Sequence, residues 1–218
     1  KFVAEQMNLH QDLLLAKNFF KAGVWRNEWE GAAAANASQK KFLKFDDSNC
    51  DPVTLFDGLI NEIRRVGRRR PNKLALGVDV FAKLKSNHFI MERVKYTGTT
   101  ANPAVVTEQV LAQLFGVQQV VVLDSTYNAA EAGMDEKMQY ICDSKAALLC
   151  YTTDTPQIDE PSAGYIFAWD MLGNGQYIAT SQFEGAPADH TEFIEGLIAT
   201  DMKKTSDDLA VFLKNCVD

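Results

Sequence analysis

The 218-residue sequence predicts an α+β fold on three observations. Residues 51–67 carry the marks of one strong amphipathic helix, Val117–Leu123 and Ala146–Tyr151 read as buried strands, and the C-terminal segment alternates in the manner of strands. A composition of 46% hydrophobic and 23% charged residues is that of an ordinary globular domain and excludes collagenous, coiled-coil and disordered classes.

Taken in chain order, the apolar positions Val3, Met7, Leu9, Leu13, Leu14, Ala16, Phe19 and Phe20 have a loosely helical spacing that ends before Gly23. Residues 23–50 change character, with two tryptophans, a small-residue run Ala32–Ala37 and then alternating Phe42, Lys44 and Asp46. This stretch predicts two extended arms around a flexible tip, a hairpin-like loop too poor in apolar residues to build its own core. The helix follows: Asp51 is its N-cap, Pro52 takes the first turn, Phe56, Leu59, Ile60, Ile63 and Val66 line one face, and Gly67 supplies the stop. Leu74–Gly77 reads as a short strand leading into a helix across Val78–Lys85. Thr107 caps a second good helix, Glu108–Phe115, closed by Gly116. Ser125–Lys145 is polar and reads as loop, and residues 156–161 form a proline-bearing connector. Tyr165–Trp169 and Tyr177–Ser181 flank Asn174-Gly175, a type I′ hairpin signal. Two strands, Thr191–Met202 and Leu209–Val217, with a turn near Thr205–Asp208, close the chain as a pair.

The net charge of −7 is unevenly laid out, with +6 over residues 1–95 and −13 over residues 96–218. The longest apolar run falls far short of the roughly 20 residues needed to cross a bilayer, so no membrane partner is expected. Position 1 is not Met and no secretory leader pattern follows it; a processed or trimmed start is expected, with a segment missing upstream. Cys50, Cys142, Cys150 and Cys216 are scattered without a CxxC pair and read as buried small hydrophobes in a reducing compartment.

Chemistry-bearing patterns are sparse. No phosphate-cradling GxxxxGK[ST] loop occurs, and His10, His88 and His190 stand apart, so neither cofactor nor metal is expected. Asp189, His190 and Glu192 could be a fragment of a hydrolytic triad, but no sharp nucleophile turn accompanies them, and a solvated turn is the favoured reading. Arg64, Arg65, Arg68, Arg69 and Arg70 form either a phosphate-binding patch or a charged helix terminus that answers acidic neighbours. The second is preferred because the chain is acidic and no stacking aromatics are interleaved, so no sequence-specific nucleic-acid binding is expected. Trp25 and Trp29, four apart, are either one face of a core helix or exposed anchors, and in so polar a segment anchors are preferred.

The order of these parts resembles a known family. The text DPVTLFDGLINEIRRVGRRRPNKLALGVDVFAKLKSN, then HFIMERVKYTG, VTEQVLAQLFGVQQVVV, the strand SKAALLCYT, the aromatic stretch PSAGYIFAWDMLGNGQYIATSQF and the closing FIEGLIATDMKKTSDDLAVFLKNCV together resemble a major capsid protein of a tailed bacteriophage or prophage, with the Hong Kong 97-type shell fold. The resemblance implies a non-enzymatic subunit that assembles with itself into pentamers and hexamers of an icosahedral phage head enclosing double-stranded DNA. It implies a virion location, assembly in the bacterial host cytoplasm, and scaffolding, portal or decoration proteins as further partners. It also implies a layout: residues 1–16 an N-terminal arm remnant, 17–50 an extended loop across an adjacent subunit, 51–71 the peripheral domain with its spine helix, 72–189 the axial domain, and 190–218 the peripheral C-terminal strands. Inter-subunit contacts are expected at Trp25, Arg26, Trp29, Lys40, Lys41, Arg64, Arg68, Arg69 and Arg70. An encapsulin-like cellular compartment shell and a hydrolase built on Asp189, His190 and Glu192 are the alternatives.

Overall fold

The computed structural model describes residues 1–218 apart from 96–104, 132, 158, 170–178 and 186–191. Helix α1 (Phe2–Asn18) opens the chain and covers the helical spacing found in the sequence. Strand β1 (Glu28–Ala32), a single 3-10 turn and strand β2 (Lys41–Leu43) follow. They overturn the expected hairpin-like loop over residues 23–50, because β1 runs parallel to both of its neighbours, with Glu28 opposite Phe212 and Gly31 opposite Phe42. The segment also enters the core: Trp25, Phe42 and Phe45 are all buried. The extended character of these residues was legible, but the partner that places β1 inside the sheet, β12, lies far away in sequence.

Helix α2 (Pro52–Gly67) forms as its sequence requires. The Asp51 carboxylate accepts the Val53 N–H at 3.1 Å and the Thr54 hydroxyl at 2.7 Å, and Phe56, Leu59, Ile60 and Ile63 are buried along one face. The left-handed residue at its end is Arg68 (φ 56), not Gly67. Gly67 is needed for space instead, since a Cβ there would stand 2.6 Å from Leu209 Cδ2 and 2.7 Å from the Asp208 carbonyl oxygen. Val66, expected on the inner face, is 52% exposed.

Strand β3 (Lys73–Gly77) passes directly into α3 (Val78–Ser86), and α4 (His88–Lys95) follows. Gly77 permits that joint, because a Cβ would lie 2.4 Å from the Ser144 carbonyl oxygen. Helix α5 (Glu108–Phe115) has the expected Thr107 cap, accepting from Val110 N–H at 3.4 Å, and ends on Gly116 at φ 65, the conformation glycine adopts most cheaply. Strand β4 (Gln119–Leu123) pairs in parallel with β3. The stretch expected to be loop holds a small hairpin, β5 (Thr126–Asn128) with β6 (Met138–Tyr140). Strand β7 (Ala147–Cys150) is fully buried.

Strands β8 (Gly164–Ala168), β9 (Ala179–Glu184), β10 (Glu192–Leu197), β11 (Thr200–Lys204) and β12 (Ala210–Lys214) complete the chain. The expected Thr191–Met202 strand is two strands, and β11 is not paired with β12. Instead β12 lies inside a six-stranded mixed sheet of order β2-β1-β12-β7-β3-β4. One face of that sheet carries Leu74, Leu76, Leu149, Val211 and Leu213 against the apolar faces of α2 to α5. The opposite face presents Leu148, Cys150, Ala210 and Phe212 to Phe19, Phe20, Trp25 and Met202. Strict alternation along β7 and β12 therefore builds two cores, one on each side. Within this sheet β3, β4 and β7 come from residues 72–189 and β12 from residues 190–218.

Candidate functional site

Strands β8 and β9 do not pair with each other. Each runs antiparallel to part of one return segment, β8 to β11 from Gly164↔Lys204 to Ala168↔Thr200, and β9 to β10 from Ala179↔Leu197 to Glu184↔Glu192. Only Ile198 and Ala199 separate β10 from β11, and the Trp169 N–H bonds the Ala199 carbonyl at 3.0 Å. The four strands are thus one two-stranded ribbon, with a return segment about 40 Å long at roughly 3.3 Å per residue. The Asn174-Gly175 signal lies outside the described residues.

The ribbon is anchored at its base and along one side. The Thr205 hydroxyl donates to the Ser162 carbonyl at 2.6 Å, and the Lys204 ammonium donates to the Val24 carbonyl at 2.6 Å and to Asp207 at 2.7 Å. Gly164 leaves room for the Phe19 ring, which would stand 2.5 Å from a Cβ. Further out, Gly196 lies against α1, where a Cβ would meet Met7 Sδ at 2.6 Å and Val3 Cγ1 at 2.8 Å, and the Thr200 hydroxyl donates to Gln11 Oε1 at 3.0 Å.

Much of the ribbon's exposed surface is apolar, beside the charged Glu195, Asp201 and Lys203. Phe167, Trp169, Phe183, Phe193 and Leu197, which strand alternation places on the face away from Gly164, Gly196 and Met202, and Ile166 and Ile194 on the other face are 44–61% exposed, and the Phe183 and Phe193 rings stack with centroids 5.4 Å apart. A two-stranded ribbon cannot bury both of its faces alone, and a cluster of exposed aromatic side chains on one of them marks a contact site. The sequence reading missed this surface because each strand looks ordinary; it arises only when the strands are laid end to end.

The residues expected to contact other subunits are distributed differently from the expectation. Trp25 is not an exposed anchor: it is 4% exposed, stacks on Phe19 at 6.3 Å and donates its indole N–H to the Phe19 carbonyl at 2.7 Å. Trp29 is half-buried against the main core, and its indole N–H is enclosed without an acceptor, among the described residues. It lines a cleft of about 410 Å³ between β2 and α2 together with Lys41, Phe42 and Leu59. Lys40 donates to Asn27 Oδ1 at 2.7 Å, and exposed Arg26 donates its backbone N–H to Asp207 at 3.2 Å. Arg64, Arg65, Arg68, Arg69 and Arg70 are all exposed, and Arg69 also pairs with Glu160 at 3.2 Å and lies over the Tyr151 ring.

All four cysteines are buried free thiols, as the sequence suggested. Burial holds Cys50 and Cys150 up at about 12 and Cys142 at about 11, and it also raises Cys216, so none supplies a thiolate nucleophile at neutral pH. Asp189 and His190 lie outside the described residues, and Glu192 opens β10. Among the described residues no group of His, Cys, Asp or Glu side chains is arranged to hold a metal ion, and no helix is long and apolar enough to cross a membrane.

No protein-family model matches the chain. Over 84 residues, 38% of the chain, it is 29% identical to the major capsid protein of Burkholderia phage BcepMu, and the match covers 26% of that protein. Over 99% of its length it superposes on a phage-related protein from Bordetella bronchiseptica with a TM-score of 0.77 at 17% identity, spanning 65% of that chain. The two share a fold. The capsid structure of cyanophage P-SCSP1u gives a TM-score of 0.46 at 11% identity, with 97% of this chain and 62% of that chain covered, a likeness too distant to bear on the argument. The chain thus spans less than two thirds of the proteins it is similar to. The phage capsid resemblance seen in the sequence is supported by the sequence likeness, and the fold likeness is to a phage-related protein.

Proposed function

We propose that this chain is the shell-forming part of a tailed-phage or prophage major capsid protein of the Hong Kong 97 type, and that copies of it assemble into pentamers and hexamers of an icosahedral head around double-stranded DNA. The ribbon carries this reading: a long, anchored β-arm with aromatic faces open to solvent, on a fold shared with a phage-related protein. Its role is mechanical rather than catalytic. Many modest contacts repeated around rings and then around a shell give high total stability without one tight interface. Scaffolding, portal and decoration proteins are further partners of such a shell, and the virion is its location.

The domain layout is revised in the same reading. The helix that lies along the long strands is α1, through Gly196 and Thr200, so α1 and the ribbon make the peripheral part and α1 takes the place of the spine helix. The six-stranded sheet with α2 to α5 makes the axial part.

Negative-stain microscopy and velocity sedimentation of the purified protein test the reading. Wild type is expected to give rings or shells. The Phe183→Ser, Phe193→Ser double variant is expected to remain a folded monomer, since both side chains already face water. A compact wild-type monomer across a wide concentration range refutes the proposal.

A further inference from the structure

The C-terminal end of α2 and the tip of the β5–β6 hairpin are complementary in charge. The first carries five arginines in the seven residues 64–70. Of these only Arg69 has an acidic partner among the described residues, Glu160, and the Arg70 guanidinium lies against Gly116. Arg64, Arg65 and Arg68 project into solvent beside Val66, itself 52% exposed. Like charges this close repel one another in the isolated subunit. The Arg64 and Arg65 side chains also sit at the helix end where the backbone dipole favours cations, so the arrangement is tolerated and poised for an anion.

The hairpin tip is the counterpart. Glu131, Asp135 and Glu136 are exposed there, with Lys137 the one basic residue between Glu131 and Met138, and none of the three carboxylates is in an ion pair among the described residues. Met134 and Met138 beside them are 71% and 59% exposed. The tip is held in shape: the Asn128 side chain accepts the Ala130 and Lys137 N–H groups at 3.0 Å each, Met134 N–H reaches the Glu131 carbonyl at 3.1 Å, and Gly133 takes a positive φ of 89. At its base Ser125, just before β5, donates to Asp12 of α1 at 2.9 Å.

We infer that the arginine end of α2 in one copy docks on the β5–β6 tip of the next copy, with guanidinium–carboxylate pairs around a small apolar centre of Val66 against Met134. The occupant is a second copy because both halves of the match, opposite in charge and each with an exposed apolar residue, occur on one chain as different surfaces. Such a heterologous contact repeats head to tail, and it closes a ring where its rotation divides a full turn. Charged rims of this kind set partner, register and encounter rate. The inference rests on the self-assembly reading above and adds which surfaces meet.

A charge-reversal cycle tests it by sedimentation of full-length protein at low and high salt. Arg65→Glu with Arg68→Glu, and separately Asp135→Lys with Glu136→Lys, are each expected to raise the concentration needed for assembly by about tenfold or more, with unchanged far-ultraviolet circular dichroism because all four side chains are exposed. Combining the four substitutions is expected to recover most of the loss, and wild-type assembly is expected to weaken from 50 mM to 500 mM salt as screening shortens the reach of the charges, to about 3 Å at 1 M. If wild type assembles but the combined variant is no better than either pair, the docking is overturned while the capsid reading stands. If arginine reversal abolishes salt-sensitive binding of duplex DNA and leaves assembly intact, the patch serves nucleic acid and the inference fails. A wild type that never assembles overturns both.

Discussion

Replacing Trp25 separates a core role from an anchor role. In Trp25→Ala the chain loses a side chain that is 4% exposed, its stack on Phe19, the N–H···O bond to the Phe19 carbonyl at 2.7 Å and the ring under the Lys204 ammonium at 5.8 Å. Large-to-small changes at a buried Trp cost about 3–5 kcal/mol, part of it from the cavity left behind. The abandoned Phe19 carbonyl adds a penalty of about 1 kcal/mol within that range. Trp25→Phe keeps the apolar bulk and loses mainly the hydrogen bond, so about 1–2 kcal/mol is expected. Equilibrium urea unfolding followed by fluorescence of the remaining tryptophans reads both. With a slope of about 2–3 kcal/mol per molar urea, the alanine variant should unfold at about 1–2 M less urea. A loss below about 1 kcal/mol accompanied by failed assembly would refute this reasoning and return Trp25 to the role of inter-subunit anchor.

Two further outcomes follow from the same geometry. Gly196→Ala should cost about 1–3 kcal/mol by overpacking against Met7 and Val3, and should raise hydrogen exchange in both α1 and β10, whereas an unchanged exchange pattern would mean that α1 does not hold the ribbon. For Asp51, burial alone would raise the carboxyl, but the Thr54 hydroxyl, the Arg93 guanidinium at 2.9 Å and the Val53 N–H hold it below the ordinary aspartate value. A depressed folded-state value means stability that is fully present above about pH 5 and is lost as pH falls through that lowered value. Thermal midpoints between pH 6 and pH 2.5 should therefore fall less steeply for Asp51→Asn than for wild type; parallel curves would remove Asp51 from the acid transition.

Much of the local structure was legible before any coordinates. The Asp51 and Thr107 caps, the left-handed Gly116 and the period of Phe56, Leu59, Ile60 and Ile63 act within a turn or two of backbone, so neighbouring residues suffice to specify them. Burial of the cysteines and the basic and acidic halves were equally open to reading. Trp25 was misread because its polar neighbours suggest a solvated loop, while Phe19, Met202 and Phe212, which form its core, come from both ends of the chain. The candidate site was the least legible part. The aromatic character of β8 was visible, but not that β8 and β9 share one return segment and leave the same surface uncovered.

The sequence by itself determined the α+β class, the capped helices, the strongest strands, the uneven charge and the likeness to phage capsid proteins, since each depends on composition or on residues a few positions apart. Only the tertiary structure decided that β12 enters the middle of the main sheet, that β1 pairs with it in parallel across more than 180 residues of chain, and that α1 lies on the ribbon. Strand register between distant segments carries no local signature: it is fixed by which faces must be buried together, and that is settled only when all the elements compete for the same two cores.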